Sequence, residues 1–446
     1  MRKLLNLFIA LLLTASAVNA ASIDKALSES DINTGAVSIS VRDTETGKVL
    51  YELNSKKPVN PASTLKILTL TASLDELGKD YEFSTDLYQN KENELFIKLG
   101  ADPFLKAGDL RKLLNTAKTK NIVEPKAIYI DDTIVDKTEW GEGWQWDDDL
   151  NPLMPKFGAY NIDENLLTIT VVPTAKGAPA EIKLDVFYPT TFMNLVTTGD
   201  SSEIKISRNN NIAPDVLTIE GTVKNQIKQE IPVNHLKRYF RLRLEDAIRA
   251  EKIEYYGAFA EKELPSGNIS LVETVKHPIE DAVSEIMLNS NNMAAESLFK
   301  IAGGHYAKTT GSAQNAVEML FAYLDKIGLN SSDIKVVDGS GVSKNNLATS
   351  DFMTSFLTAQ YKISPDYPKM FAPAGEGTLT NRMLYFGDKL RAKTGTLSDV
   401  SAITGYITTV KGKVLAFNIM INDAKSKPSE KKMLEEYILR AIQISY

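Results

Sequence analysis

Both ends of this chain carry the pattern of an antiparallel sheet, and that constrains the fold more than any other feature of the sequence. Residues Ala36 to Asp43 (AVSISVRD) alternate apolar and polar side chains, a turn follows at Thr44 to Gly47, and Lys48 to Asn54 (KVLYELN) resumes the alternation. Successive strand side chains point to opposite faces, so this predicts a β-hairpin. Near the other end, Lys389 to Leu397, Ile403 to Val410 and Val414 to Asn422 predict three more antiparallel strands. Ser429 to Ile442 then sets apolar residues at helical spacing, as a helix closing over a sheet requires. One sheet assembled from both ends accounts for these runs. The middle of the chain must then be inserted, leaving and rejoining the sheet at neighbouring points.

After the hairpin, Pro58 and Pro61 precede an apolar helix that starts at Ser63 and ends near Leu77, with Gly78 as its terminating residue. From about residue 80 to residue 275, short runs such as 95–99 (LFIKL) and 127–131 (AIYID) alternate with turns and predict a mostly β middle. Trp140 to Pro155, rich in Trp, Gly, Asp and Pro, reads as an irregular loop whose tryptophans seal a small core. From about Pro278 the pattern is helical again.

Composition excludes several classes of function. The chain of 446 residues has no cysteine, which removes thiol nucleophiles, thiolate metal sites and disulfides. With 51 basic against 57 acidic residues, no positive excess exists to neutralise a nucleic-acid backbone. His235, His277 and His305 lie far apart and form no metal-binding motif. The first twenty residues run from Arg2 and Lys3 through an apolar stretch, Leu4 to Leu13, to Val18-Asn19-Ala20. They predict a secretory signal peptide cleaved after Ala20, hence an exported, periplasmic protein with no stable membrane span.

Three short motifs carry chemistry. Ser63-Thr64-Leu65-Lys66 sets a hydroxyl and an amine one helical turn apart, where they can share a hydrogen bond. The same spacing recurs at Ser22/Lys25, Ser332/Lys335 and Ser429/Lys432, where a solvated helix face explains it. Ser63 differs in its neighbours: Pro61, Ala62, Leu65, Ile67 and Leu68 predict burial, and a buried lysine loses basicity, as a general base requires. Ser290-Asn291-Asn292 follows an apolar helical stretch, but Ser-x-Asn also occurs at Ser207, Ser266 and Ser343. Lys393-Thr394-Gly395, followed by Thr396, occurs once, and a glycine inside a strand marks the close approach of another backbone or a ligand.

SxxK, SxN and KTG in that order form the signature of β-lactamases and penicillin-binding proteins. Further segments extend the match over nearly the whole mature chain: IKLGADP (97–103), VDGSGVS (337–343), PAGEGTL (373–379) and RAKTGTL (391–397). The chain thus resembles the D-alanyl-D-alanine carboxypeptidase/endopeptidase group of class C low-molecular-mass penicillin-binding proteins. The long gap between Lys66 and Ser290 is the feature that sets this group apart. The resemblance implies an α/β (α+β) fold: a penicillin-binding/serine β-lactamase-like transpeptidase domain, an antiparallel sheet flanked by helices, with two inserted mainly-β domains. The expected division is a signal peptide over 1–20, the catalytic domain over 21–80 and 277–446, one insert over 81–110 and 190–276, and a second over 111–189.

What the resemblance implies for the residues is specific. Ser63 would form an acyl-enzyme on a stem peptide ending in D-Ala-D-Ala, Lys66 would accept its proton, and Ser290 would relay a proton to the leaving amine. Asn292 would bind the substrate amide and Lys393 the terminal carboxylate, helped by Thr394 and Thr396. The peptide would lie along the strand containing Gly395. Peptidoglycan and β-lactams are the implied partners, with no metal or cofactor. Lys344, where an arginine is expected, and Asp163 would contact the third stem residue. A serine β-lactamase and a non-catalytic peptidoglycan-binding module are the alternatives; the first lacks an identifiable Glu-x-x-x-Asn deacylation motif, and the second has no use for a buried lysine beside a serine.

Overall fold

The structure is a computed structural model that describes residues 22–209 and 213–446; the expected signal peptide lies outside the described residues. One six-stranded sheet is built from both ends of the chain, in the order Ala372–Pro373, Leu390–Thr396, Val400–Thr408, Val414–Asn422, Val37–Asp43, Val49–Leu53. All its pairings are antiparallel, and the two chain ends meet between its fourth and fifth strands, where Val37 faces Ile421 and Ile39 faces Ile419.

Both faces of this sheet are covered. Ile39, Val41, Ile403, Ile407, Phe417 and Ile419 meet Leu434, Ile438, Leu439 and Ile442 of the closing helix, Pro428–Ser445. The opposite face carries smaller or polar side chains, among them Ser40, Thr404, Ala416 and Asn418, and receives helix Ser350–Ile363. Most of the polar groups under that helix are paired: Ser40 Oγ lies 2.7 Å from Thr354 Oγ1, and Asn418 donates to Thr404 Oγ1 at 2.6 Å, while Asn418 Oδ1 has no partner among the described residues.

The insertion leaves and returns through adjacent strands. Glu82–Asn90 pairs antiparallel with Ile269–Pro278, so the detour costs the sheet domain no continuity. These two strands belong to a five-stranded sheet that also contains Glu94–Lys98, Ala127–Asp131 and Ala260–Glu261. Strand Ala127–Asp131 falls within 111–189 of the expected division, yet it pairs here, parallel to Glu94–Lys98. The reason is the intervening helix Ala107–Thr119: a parallel pair needs a crossover connection, and this helix supplies it. Two three-stranded sheets follow, Glu181–Leu184 with Leu166–Val172 and Ile227–Pro232, and Thr191–Thr198 with Ala213–Val223 and Glu203–Asn209.

The reading of the middle as strands and turns omitted two helices, Ala107–Thr119 and Leu236–Glu251, which pack on each other. Leu110, Leu113, Leu114 and Ala117 are buried at helical spacing between charged residues, a stripe that dense surface charge obscures in the sequence. The tryptophan loop also departs from expectation in part. Trp144 is buried with Met154, Phe157, Met293 and Val342, and Trp140 packs edge-on against it, but Trp146 is 77% exposed. Among the described residues no helix is long and apolar enough to cross a membrane.

Candidate active site

Ser63 sits in a single 3₁₀ turn, Ala62–Leu65, that leads directly into helix Lys66–Leu77. The turn begins with Ala62 in a left-handed conformation, φ 47°, which costs energy for a residue with a Cβ and is held by its surroundings. Asn60 does this holding: its side chain accepts from the Ala62 amide at 2.8 Å and donates to the Ser343 carbonyl at 3.0 Å. Two glycines let other backbone press on the turn. A Cβ at Gly341 would stand 2.1 Å from the Ala62 carbonyl oxygen, and one at Gly395 would stand 2.9 Å from the Ser63 nitrogen. The glycine expected to mark a close backbone approach in strand Leu390–Thr396 therefore marks the approach to Ser63 itself.

Lys66 has no exposed surface, and its Nζ donates to Ser63 Oγ at 3.0 Å, to Asn292 Oδ1 at 2.6 Å and to the Ser340 carbonyl at 2.6 Å. Burial pushes its amine down to about 7, against the opposing pull of Asp338 and Glu296. Such an amine can stand neutral at ordinary pH and take a proton from the serine in contact with it.

Ser290 ends a π-helical turn, Glu285–Asn289, in a left-handed conformation, and Asn291 caps helix Asn292–Ala307 by accepting from the Ala294 amide. The turn and cap aim the two outer residues of the motif into one cleft while Asn291 serves the helix. Ser290 Oγ accepts from Lys393 Nζ at 2.7 Å, and Lys393 also donates to the Thr394 carbonyl at 2.9 Å. Lys393 is fully buried; desolvation, then repulsion from Lys66, hold its amine well below the ordinary lysine value. Thr394 donates to Thr378 Oγ1 at 2.7 Å, Gly395 is buried, and Thr396 is exposed at the strand end. Asn292 Nδ2 donates to the Leu153 carbonyl of the tryptophan loop at 2.7 Å, so that loop forms one wall beside the motif. A cleft of about 260 Å³ adjoins Ser290 and Asn292 and is lined by Leu153, Glu164, Leu166 and Glu230 among others.

The structure thus brings Ser63, Lys66, Ser290, Asn292 and Lys393 together, with Thr394, Gly395 and Thr396 on the adjoining strand. Lys344 stands apart on the exposed rim of the 338–346 loop, where its charge acts on Asp148 of the tryptophan loop. Asp163 is engaged elsewhere: Oδ2 accepts from Arg243 Nε at 2.9 Å and Oδ1 from the Ala107 amide at 3.0 Å, and it lines a neighbouring cleft. Its ion pair ties the turn at Asp163–Asn165 to helix Leu236–Glu251.

Sequence reasoning missed the residues beneath the lysine. Asp338 accepts from the Gly341 and Ser343 amides, Asn346 Nδ2 and Trp144 Nε1, and so shapes the loop that reaches Lys66. Glu296, 1% exposed, accepts from the amides of Gly339 and Ser340. Burial, then Asp338, push its carboxyl up. The signal for Glu296 was a carboxylate within the apolar stretch MAAESLF; for Asp338 it was an acid among glycines and serines that needs amide donors. Among the described residues no group of His, Asp and Glu is arranged to hold a metal ion.

Comparison with known proteins places the chain in a family. Residues 19–440 match the family described as D-Ala-D-Ala carboxypeptidase 3 (S13). A D-alanyl-D-alanine carboxypeptidase of Actinomadura sp. (strain R39) is 26% identical over 432 residues, covering 89% of this chain and 79% of that one. Penicillin-binding protein 4 of Haemophilus influenzae has a similar structure, with a TM-score of 0.81 at 23% identity over 94% of this chain and 98% of that one. The same protein complexed with a β-lactam gives a TM-score of 0.77 at 22% identity, with the same coverage of both chains.

Proposed function

The chain belongs to the D-Ala-D-Ala carboxypeptidase 3 (S13) family, and on that premise we propose that it is a serine-type D-alanyl-D-alanine carboxypeptidase and DD-endopeptidase acting on peptidoglycan stem peptides. The observation that carries this reading is the 3.0 Å contact between a fully buried amine, Lys66 Nζ, and Ser63 Oγ, with the second buried amine, Lys393 Nζ, held on Ser290 Oγ.

Ser63 Oγ attacks the carbonyl carbon of the penultimate D-alanine while its proton passes to the neutral Lys66 amine. The oxyanion gathers hydrogen bonds from the backbone amides of Ser63 and Thr396. The C–N bond then breaks, a proton reaches the leaving amine through Ser290, and Ser63 is left as an ester. Water hydrolyses the ester, and the hydroxyl proton returns to Ser63. If the leaving amine is free D-alanine the reaction is a carboxypeptidase step; if it belongs to a neighbouring stem, it is an endopeptidase step. The substrate's terminal carboxylate sits against Lys393 and the Thr394 and Thr396 hydroxyls, its amide on Asn292, and its chain along the strand at Gly395. Lys344 faces the third stem residue from the open rim in this reading, while Asp163 stays with Arg243 in the neighbouring cleft. A β-lactam enters as a substrate mimic, as the β-lactam complex of the Haemophilus influenzae protein supports. The signal-peptide pattern supports export to the periplasm, where peptidoglycan lies.

Labelling with a fluorescent penicillin tests the reading. Stoichiometric labelling that vanishes in Ser63→Ala is expected; labelling that survives the substitution would overturn it. Digestion of peptidoglycan followed by mass spectrometry, scoring loss of terminal D-alanine against loss of cross-linked dimers, checks the two activities. Rapid, sustained nitrocefin turnover would instead favour a β-lactamase.

A further inference from the structure

Glu296 touches no atom that the proposed chemistry moves, yet it is a buried acid one turn after Asn292 on the same helix face. Its Oε1 accepts from the Ser340 amide at 2.8 Å and its Oε2 from the Gly339 amide at 3.1 Å, a two-point clamp on successive peptide groups. The carbonyl of the same Ser340 receives the Lys66 ammonium at 2.6 Å. The peptide that follows is gripped too, since the Gly341 amide donates to Asp338 Oδ1 at 2.9 Å. The Ser340 carbonyl shares its peptide group with the Gly341 amide, so the carboxylate that polarises it through that N–H is Asp338, while Glu296 fixes Ser340 in place through the two preceding peptide groups and brings a second negative charge near the amine. An apolar side chain at 296 would leave two buried amides unpaired, so the clamp also costs stability to remove.

Resting on the reading above, we propose that Glu296 is a positioning residue for the general base: it fixes the Ser340 carbonyl on Lys66 and supplies negative charge that keeps the amine basic enough to accept the serine proton. Dry surroundings alone would leave the amine a poor base. The charged groups facing Lys66 are Glu296 from helix Asn292–Ala307, Asp338 from the 338–346 loop and Lys393 from strand Leu390–Thr396. Lys393 repels the ammonium and the two acids offset it. Asp338 holds four donors at once and is shared with Trp144, so its replacement would disturb the loop as a whole. Glu296 serves the Gly339 amide and the amide and hydroxyl of Ser340, all on the segment that leads to the lysine.

The experiment is the rate of acylation by a fluorescent penicillin as a function of pH in the full chain, for wild type, Glu296→Gln and Glu296→Asp. Loss of the negative charge destabilises the ammonium, so the acid limb in Glu296→Gln should move about one pH unit toward acid, with a lower plateau because the base is weaker. Glu296→Asp should bring the limb back. A lowered plateau with the limb unmoved is what a loosened loop alone produces, and it would overturn the proposal. If Glu296→Gln does not fold, Lys66→Met gives the reciprocal measurement: by linkage, removing the amine raises the pH at which Glu296 titrates, read by ¹³C NMR of the glutamate side chains. An unchanged Glu296 titration in that variant also overturns it. Wild type that takes up no penicillin at Ser63 would sink the functional reading itself, a result separate from either outcome at Glu296.

Discussion

At the scale of single residues, the site runs on the contrast between what burial does to an amine and what neighbours restore. Lys66, pushed down to about 7, gains its neutral form as pH rises through that value, so acylation should climb across neutral pH and level off above it. A stopped-flow pH profile of penicillin acylation checks this, and a flat profile between pH 6 and 9, to take a roughly two-sided window around the amine, contradicts it. Lys66→Met removes the base while keeping the bulk, and should lower the acylation rate by about 10²- to 10⁴-fold without loss of fold. Asn291 shows the reverse case of a motif residue with a structural task. Its side chain caps helix Asn292–Ala307 through the Ala294 amide at 2.9 Å. Asn291→Ala should cost about 1 kcal/mol in urea unfolding, and Asn291→Asp almost nothing, since either Asn or Asp accepts that bond.

At the scale of elements, chemistry depends on how closely strand Leu390–Thr396 can press on the Ser63 turn. The strand gets there because position 395 has no Cβ; one would meet the Ser63 nitrogen at 2.9 Å and the Pro61 carbonyl oxygen at 3.0 Å. Gly395→Val forces strand and turn apart, and a displacement approaching 1 Å between reacting groups costs about 10²-fold. The expected outcome is that loss in acylation rate, with a far-ultraviolet circular dichroism spectrum like that of wild type. The tryptophan loop is an element of the same kind, since its Leu153 carbonyl receives Asn292 and its Trp144 indole donates to Asp338 at 2.9 Å. That loop is tied further to helix Asn292–Ala307 by Lys300, whose buried Nζ donates to Asp136 and to the Thr138 carbonyl just before it. Trp144→Ala should lower stability by about 3–5 kcal/mol, measured by denaturant unfolding, because it empties a packed site and strips a donor from a buried carboxylate.

At the scale of the whole molecule, a sheet closed by both ends of the chain makes the termini structural. Deleting residues 428–446 uncovers Leu434, Ile438, Leu439 and Ile442, each worth roughly 1.5–3 kcal/mol of burial. The sum rivals the whole stability of a typical domain, about 5–15 kcal/mol, so the truncated chain should neither stay soluble nor take up penicillin. Sequence alone determined much of this protein: the alternating runs at 36–43 and 414–422, the apolar helix that ends at Leu77 and the order of the three motifs are local patterns, written in neighbouring residues, although the structure sets Ser63 in a 3₁₀ turn ahead of that helix. Side chains at positions 63, 66, 290, 292 and 393 could be named for the same reason. Only the tertiary structure decided that Ala127–Asp131 joins the sheet of Glu82–Asn90 and Glu94–Lys98, that Asp163 is taken by Arg243, and that Glu296 and Asp338 lie beneath Lys66. Strand partners, ion pairs and the dryness around an amine are set by residues hundreds of positions apart. Spacing along a chain records which groups share a helix face or a strand, whereas the free energy of a buried charge depends on what the fold packs around it.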